Sequence, residues 1–227
     1  MTRLDGAVVL VLGASGGLGR LLADSLEAQG ATAVRAGRDA SVLGPAPLVA
    51  DLRGEDAPRR LVAEVLERHG RLDGVVVAAG VVAFGPSAEL DPAVLEELVE
   101  VNALAPIRLV TAALPALAAS ASAGRQPFAL TISGVVAEAP TAGLAAYSAS
   151  KAALHAFVKA SAKEYRRAGV LLLDARPGHT ETELSRHPLA GEAPRFGAGL
   201  VPQAVVDRLL TAIVDAEPDL PPAAFIG

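Results

Sequence analysis

The run Ala7-Val8-Val9-Leu10-Val11-Leu12, followed at once by Gly13-Ala14-Ser15-Gly16-Gly17-Leu18-Gly19, decides how this chain folds. An apolar stretch of strand length gives way to a glycine cluster, and a helical pattern takes over from Arg20 to about Gln29. The glycines let backbone N–H groups approach a ligand, and the positive end of the following helix attracts phosphate. The spacing here is G-x-x-x-G-x-G rather than the G-x-G-x-x-G of the general dinucleotide fingerprint. The turn takes its meaning from its place on the first strand of an alternating chain.

Outward from this turn, strands and helices alternate. A second strand over residues 32–36 ends in Gly37-Arg38-Asp39, where the ribose of an adenosine would be held. An acidic residue there accepts bonds from a free 2'-hydroxyl, whereas an arginine accommodates a 2'-phosphate; Arg38 comes first, which favours NADP over NAD. A short run over 47–50 leads to Asp51-Leu52, and a helix over 55–69 stops at Gly70. The Val-rich strand 73–79 precedes Gly80, and a long helical region over 91–122, bent near Pro106 and Pro115, carries Asn102. Strand 127–133, a helix from Tyr147 to Arg167, and strand 170–175 before Arg176-Pro177-Gly178 follow. Residues 181–200 read as a flexible loop, 202–216 as a last helix and 222–226 as a short closing strand. Such alternation predicts one α/β domain over residues 1–227, a Rossmann-type doubly wound parallel sheet with helices on both faces.

Composition narrows the function. With 227 residues, 52% of them hydrophobic and only 3% aromatic, the core must be built from Ala, Val and Leu. A net charge of -5 supplies no footprint for nucleic acid. The absence of cysteine excludes disulfides and thiolate metal sites, and His69, His155, His179 and His187 have no metal-ligand spacing. No signal peptide is recognisable and no apolar stretch approaches the ~18 residues of a membrane span, so a cytoplasmic protein is expected.

The chemistry centres on Tyr147-Ser148-Ala149-Ser150-Lys151. Residues four apart share one helix face, so the Tyr147 hydroxyl and the Lys151 ammonium serve one small volume. A fixed cation beside a phenol favours its charged form and brings proton donation within reach. Tyr165 is a control, because Gly169 stands where its cation would be.

The glycine turn, Asp51-Leu52, Ala79-Gly80, Asn102, a strand-end serine, Tyr147-x-x-x-Lys151 and Pro177-Gly178 occur in an order that resembles the short-chain dehydrogenase/reductase family over almost the whole chain. The resemblance implies an NAD(P)-dependent oxidoreductase acting on a small carbonyl or alcohol, as a homodimer or homotetramer. It implies Tyr147 as acid/base, with Lys151 holding the nicotinamide ribose and lowering the tyrosine pKa. Asn102 would anchor a water that relays protons through Lys151. For the cofactor it implies Gly13, Ser15, Gly16, Gly17, Leu18 and Gly19 at the pyrophosphate, and Asp51 and Leu52 at the adenine. Ala79 and Gly80, and Pro177, Gly178, Thr180 and Thr182, would border the nicotinamide end.

Three departures stand out. Leu12 replaces the family's threonine, Val77-Ala78 replaces its asparagines, and Gly134 occupies the position of the substrate-orienting serine, thirteen residues before the tyrosine. Ser133 lies one residue earlier, and a one-residue shift on a strand turns a side chain to the opposite face. Two readings follow: an active reductase in which Ser133 or a backbone N–H near Gly134 replaces the missing hydroxyl, or a dinucleotide-binding protein of little turnover that acts as cofactor sensor or interaction partner. The substrate pocket is expected from loop 181–200 with the turns after Gly80 and Gly134.

Overall fold

Side chains of strand β1 (Val8–Leu12) alternate between two separate cores. Val8, Leu10 and Leu12 enter one, and Val9 and Val11 the other, so both faces of the strand are dry. This is why the run carries no polar residue. The computed structural model describes residues 2–51 and 53–226, and Leu52 lies outside them.

β1 is flanked by β2 (Thr32–Gly37) and β4 (Gly74–Val77) in a seven-stranded sheet that also contains β3 (Leu48–Val49), β5 (Phe128–Ile132), β6 (Leu171–Ala175) and β7 (Asp219–Leu220). The order is β3-β2-β1-β4-β5-β6-β7 and every pairing is parallel. The order reverses between β1 and β4, which opens a crevice at their carboxyl ends. Helices α1 (Gly17–Ala28) and α6 (Pro202–Asp215) cover one face, through Leu22, Leu26, Val206 and Leu209. Helices α2 (Ala57–His69), α4 (Ala105–Ser122) and α5 (Ala145–Arg167) cover the other, through Val65, Leu109 and Leu154. Burying each such side chain stabilises the fold by about 1.5–3 kcal/mol. The doubly wound expectation holds, and Leu12 and Val77, at two of the departures from the family pattern, serve as packing residues.

Three expectations need correction. The helical region over 91–122 divides into α3 (Pro92–Val99), a π-helical turn at Glu100–Leu104, and α4. The break therefore precedes Pro106, which sits in the first turn of α4 directly after the π-helical turn, while Pro115 lies inside α4. The span Pro92–Ser122 is also long and apolar enough to cross a membrane by length and composition, contrary to the reading of the sequence, yet Leu98, Val110 and Leu117 from it are buried in the fold. Finally, the closing strand is Asp219–Leu220, and Pro222–Phe225 forms a 3-10 turn. Two successive prolines, Pro221 and Pro222, supply no N–H to a ladder.

β4 begins with a glycine because the Phe128 ring of β5 lies against it: a Cβ at Gly74 would stand 2.6 Å from that ring. We expect Gly74→Ala to lower stability by ~1–3 kcal/mol in urea unfolding through overpacking. Gly197→Ala, with nothing within 4 Å of its Cβ, should leave the midpoint unchanged.

Candidate active site

The carboxyl ends of β1, β2, β4, β5 and β6 border one cavity of about 680 Å³, within the range of small-molecule and cofactor sites. At its floor the glycine turn joins β1 to α1. A Cβ at Gly13 would come within 2.5 Å of the Ala79 backbone nitrogen, and one at Gly19 within 2.1 Å of the Gly13 carbonyl oxygen, so only glycine lets the turn lie this tightly. Gly16 caps α1 without a side-chain bond, and the first turn holds no acidic residue. The N–H groups and positive dipole of a twelve-residue helix are thus left to the cavity, as a pyrophosphate requires. Ser15, Gly16, Gly17 and Leu18 all line the wall.

At the far end, Gly37, Arg38, Asp51 and Arg53 line the cavity, whereas Asp39 is turned away to accept bonds from the Ser41 N–H and hydroxyl at 2.9 and 2.7 Å. Arg53 was not legible as a site residue. Its guanidinium grips both oxygens of Asp51 and, with its backbone N–H, holds that carboxyl down at a pKa of about 2. Asp51 is consequently ionised and already engaged.

Asn102 is fully buried on the π-helical turn. The extra residue of the turn directs its amide inward, where Oδ1 accepts from the Val81 N–H at 2.9 Å. Its Nδ2 donates to the Val81 carbonyl at 2.9 Å and to Ser150 Oγ at 3.0 Å. Asn102 therefore clamps the chain after β4 to α5, between which Ala79 and Gly80 are exposed to the cavity. A Cβ on Gly80 would lie 3.2 Å from Asn102 Oδ1 and 3.4 Å from Lys151 Nζ, which shows how closely these three positions meet.

Tyr147, in the first turn of α5, and Lys151, one turn on, both border the cavity. Lys151 Nζ lies 5.9 Å from the centre of the tyrosine ring and donates to the Ile132 carbonyl at 2.9 Å. Burial pushes the phenol pKa up to about 12 and the ammonium pKa down to about 8, the latter opposed by the charge of Asp174. This corrects the expectation of a lowered tyrosine pKa in the free protein. Desolvation of the phenolate outweighs a cation that is itself buried and directed at a carbonyl.

Ser133 is fully buried just past β5, and its hydroxyl donates to Asp174 Oδ2 on β6 rather than pointing at a substrate. The neighbouring backbone is also engaged: the Gly134 N–H donates to the Ala175 carbonyl at 3.2 Å and the Val135 N–H to that of Pro177 at 2.9 Å. Gly134 itself has φ 79° and ψ 163°, a conformation essentially reserved for glycine.

Pro177, Gly178, Thr180 and Thr182 complete the wall beyond β6. Thr180 Oγ1 donates to the Gly178 carbonyl at 3.0 Å, and the Thr182 side chain packs on Gly17, so this segment leans on the glycine turn. The loop expected to be flexible is anchored: Leu189 and Phe84 exchange backbone bonds with Val82 and Ala190 at 2.8 and 2.9 Å. It brings Phe196 to stack on His179 with ring centres 4.2 Å apart, beside Phe84. These aromatic contacts, with Val136, Thr141 and Leu144, were missed in the sequence, because nothing local marks residues that converge from three loops.

The model of the short chain dehydrogenase family matches residues 7–192. A short chain dehydrogenase of Pseudocercospora fijiensis is 31% identical over 212 residues, which cover 82% of this chain and 67% of that protein. A solved short chain dehydrogenase from Burkholderia cenocepacia in complex with NADP has a TM-score of 0.83 at 23% identity, covering 96% of this chain and 89% of that one. The 3-ketoacyl-(acyl-carrier-protein) reductase from Brucella melitensis complexed with NADH has a TM-score of 0.85 at 23% identity, covering 98% of this chain and 100% of that one. At that identity the two structures speak for the fold alone. The family match, by contrast, runs from the glycine turn through the Tyr147 helix to the outer loop, and this chain belongs to the short-chain dehydrogenase/reductase family of oxidoreductases.

Proposed function

We propose that the protein reduces a carbonyl compound with a nicotinamide cofactor, NADP in preference to NAD, and that Tyr147 is the proton donor. The observation that supports this best is the meeting of Tyr147, Lys151, the Asn102 clamp and an uncapped glycine-turn helix around one cavity. When bound, the nicotinamide supplies the hydride. The turn from Gly13 to Gly19 holds the pyrophosphate. Arg38, facing the cavity where Asp39 does not, meets the 2'-phosphate. Asp51, Ala79, Gly80, Pro177, Gly178, Thr180 and Thr182 border the remainder of the cofactor.

The Tyr147 hydroxyl gives its proton to the oxygen that becomes the alkoxide. Burial raises the phenol pKa, so the hydroxyl carries its proton in the neutral range and is in the form a donor needs. The Lys151 ammonium stabilises the phenolate left behind and holds the ribose. The substrate oxygen meets Tyr147 as its side-chain donor, since the Ser133 hydroxyl is committed to Asp174. The aromatic wall of Phe84 and Phe196 favours an apolar carbonyl compound. The reading carries with it a cytoplasmic homodimer or homotetramer.

The lone donor also favours a second reading, a cofactor-binding protein of little turnover. Tyr147→Phe distinguishes the two. Assayed with NADPH and a carbonyl panel, it should lose ~10²- to 10⁴-fold in kcat while NADPH binding persists; equal activity of variant and wild type would reject the enzyme. NADPH should bind more tightly than NADH, and Arg38→Ala should remove the difference. Reduction should be steady below pH 8 and fall above it, because the folded Lys151, with its pKa lowered from 10.5 to about 8, loses its proton there. A profile flat to pH 10 would sink that assignment. Ser133→Ala should cost less than the ~10²-fold typical of a lost transition-state donor. Gly134→Ser, forced into a glycine conformation, should lose ~1–3 kcal/mol of stability without raising kcat.

A further inference from the structure

One carboxylate, buried beneath the reacting pair, ties three elements together. Asp174 on β6 is 2% exposed. Its Oδ1 accepts from Thr131 Oγ1 at 2.6 Å, and its Oδ2 from the Ser133 hydroxyl and from His155 Nδ1, the last at 2.8 Å. Thr131 and Ser133 flank Ile132, whose carbonyl receives the Lys151 ammonium. His155 stands four residues after Lys151, on the same face of α5. The strand alternation explains the geometry: Thr131, Ser133 and Asp174 occupy the α5 side of the sheet, where Ala129 and Leu172 continue the apolar core.

We propose that Asp174 is a positioning residue for Lys151: by gripping Thr131, Ser133 and His155 together, it fixes the Ile132 carbonyl on which the ammonium rests and keeps a negative charge beneath that ammonium. This rests on the reading of Tyr147 and Lys151 as the reacting pair. A carboxylate so deep in an apolar layer is costly unless compensated. The compensation is built in. Arg176, 1% exposed, places its guanidinium NH1 3.5 Å from Asp174 Oδ2 and 2.8 Å from Asp219 Oδ1, with its Nε 2.7 Å from Glu138 Oε1. His155 Nε2 lies 3.8 Å from the same Glu138 oxygen. The titratable groups around Lys151 and its support are thus Tyr147 and His155 on α5, Asp174 on β6, and Arg176, Glu138 and Asp219 beyond; the burial that lowers the Lys151 pKa is opposed by Asp174. Three side-chain groups from Thr131, Ser133 and His155 on one carboxylate fix its orientation, so the support acts through geometry as well as charge.

The chain contains three lysines, Lys151, Lys159 and Lys163, so their side-chain amines can be titrated individually by NMR after assignment with Lys159→Arg and Lys163→Arg. In Asp174→Asn, which keeps shape and removes charge, the Lys151 titration should move about one unit lower while the other two stay in place. The kcat for reduction should fall with KM little changed. A purely structural role would lower the unfolding midpoint and leave the lysine titration where it was, which would overturn the proposal. Should Asp174→Asn fail to fold, His155 carries the test: His155→Leu should lower kcat severalfold and His155→Gln, which retains a donor, should restore it. Equal activity of those two variants would also overturn it. The lysine titration needs no substrate, so absence of turnover in the wild type would reject the reductase and still leave this test standing.

Discussion

Burial of both faces of a parallel sheet is the constraint on which everything else here depends. The helices over Val8, Leu10 and Leu12 on one side and Val9 and Val11 on the other leave no dry face available to a polar ligand. What remains open is the edge where the strands end, and there the order β2-β1-β4-β5 splits the helices apart. Gly13, Gly37, Gly80 and Gly134 all occur just at or beyond strand ends at that edge, where the backbone must turn at once or admit a close neighbour. The site is thus a consequence of the sheet's dryness as much as of its own residues.

The same dryness sets the electrostatics. An amine and a phenol placed at the margin of an apolar core are both driven toward their neutral forms, which is why the tyrosine rises to about 12 and the lysine falls to about 8. Opposing this, the fold keeps Asp174 under the lysine and stabilises that carboxylate with Thr131, Ser133, His155 and Arg176. The serine nearest the expected substrate contact is therefore part of the support beneath the site. Gly134 beyond it turns the chain with a backbone no serine adopts comfortably. The two features explain each other. A hydroxyl held inward at Ser133 and a glycine turn after it together bring the Val135 N–H onto the Pro177 carbonyl.

Features with a local cause are legible in the sequence. The strands over residues 8–12, 74–77 and 171–175 are dense in Val and Leu because both faces are buried, and the period of α5 follows from its Ala-rich run without Pro or Gly. The π-helical turn at Asn102 is not legible in the sequence, since one additional residue in a helix leaves the apolar periodicity nearly intact. The aromatic contact of His179, Phe84 and Phe196 has no local signal either, because Phe84 follows β4 while His179 and Phe196 stand seventeen residues apart in the connection after β6. The break in the long helix lies before Pro106, and the closing strand ends before Pro221.

By itself the sequence determined the alternating architecture, the glycine turn, and the presence of a tyrosine and a lysine on one helix face, because strand and helix periodicity and i,i+4 spacing are properties of neighbours along the chain. Only the tertiary structure decided where the Ser133 hydroxyl goes, that Arg53 grips Asp51, and that the tyrosine pKa rises rather than falls. Those outcomes depend on desolvation and on partners such as Asp174 and Ser133 that the sheet brings together across long separations in sequence, and no local pattern encodes the sum of such contacts.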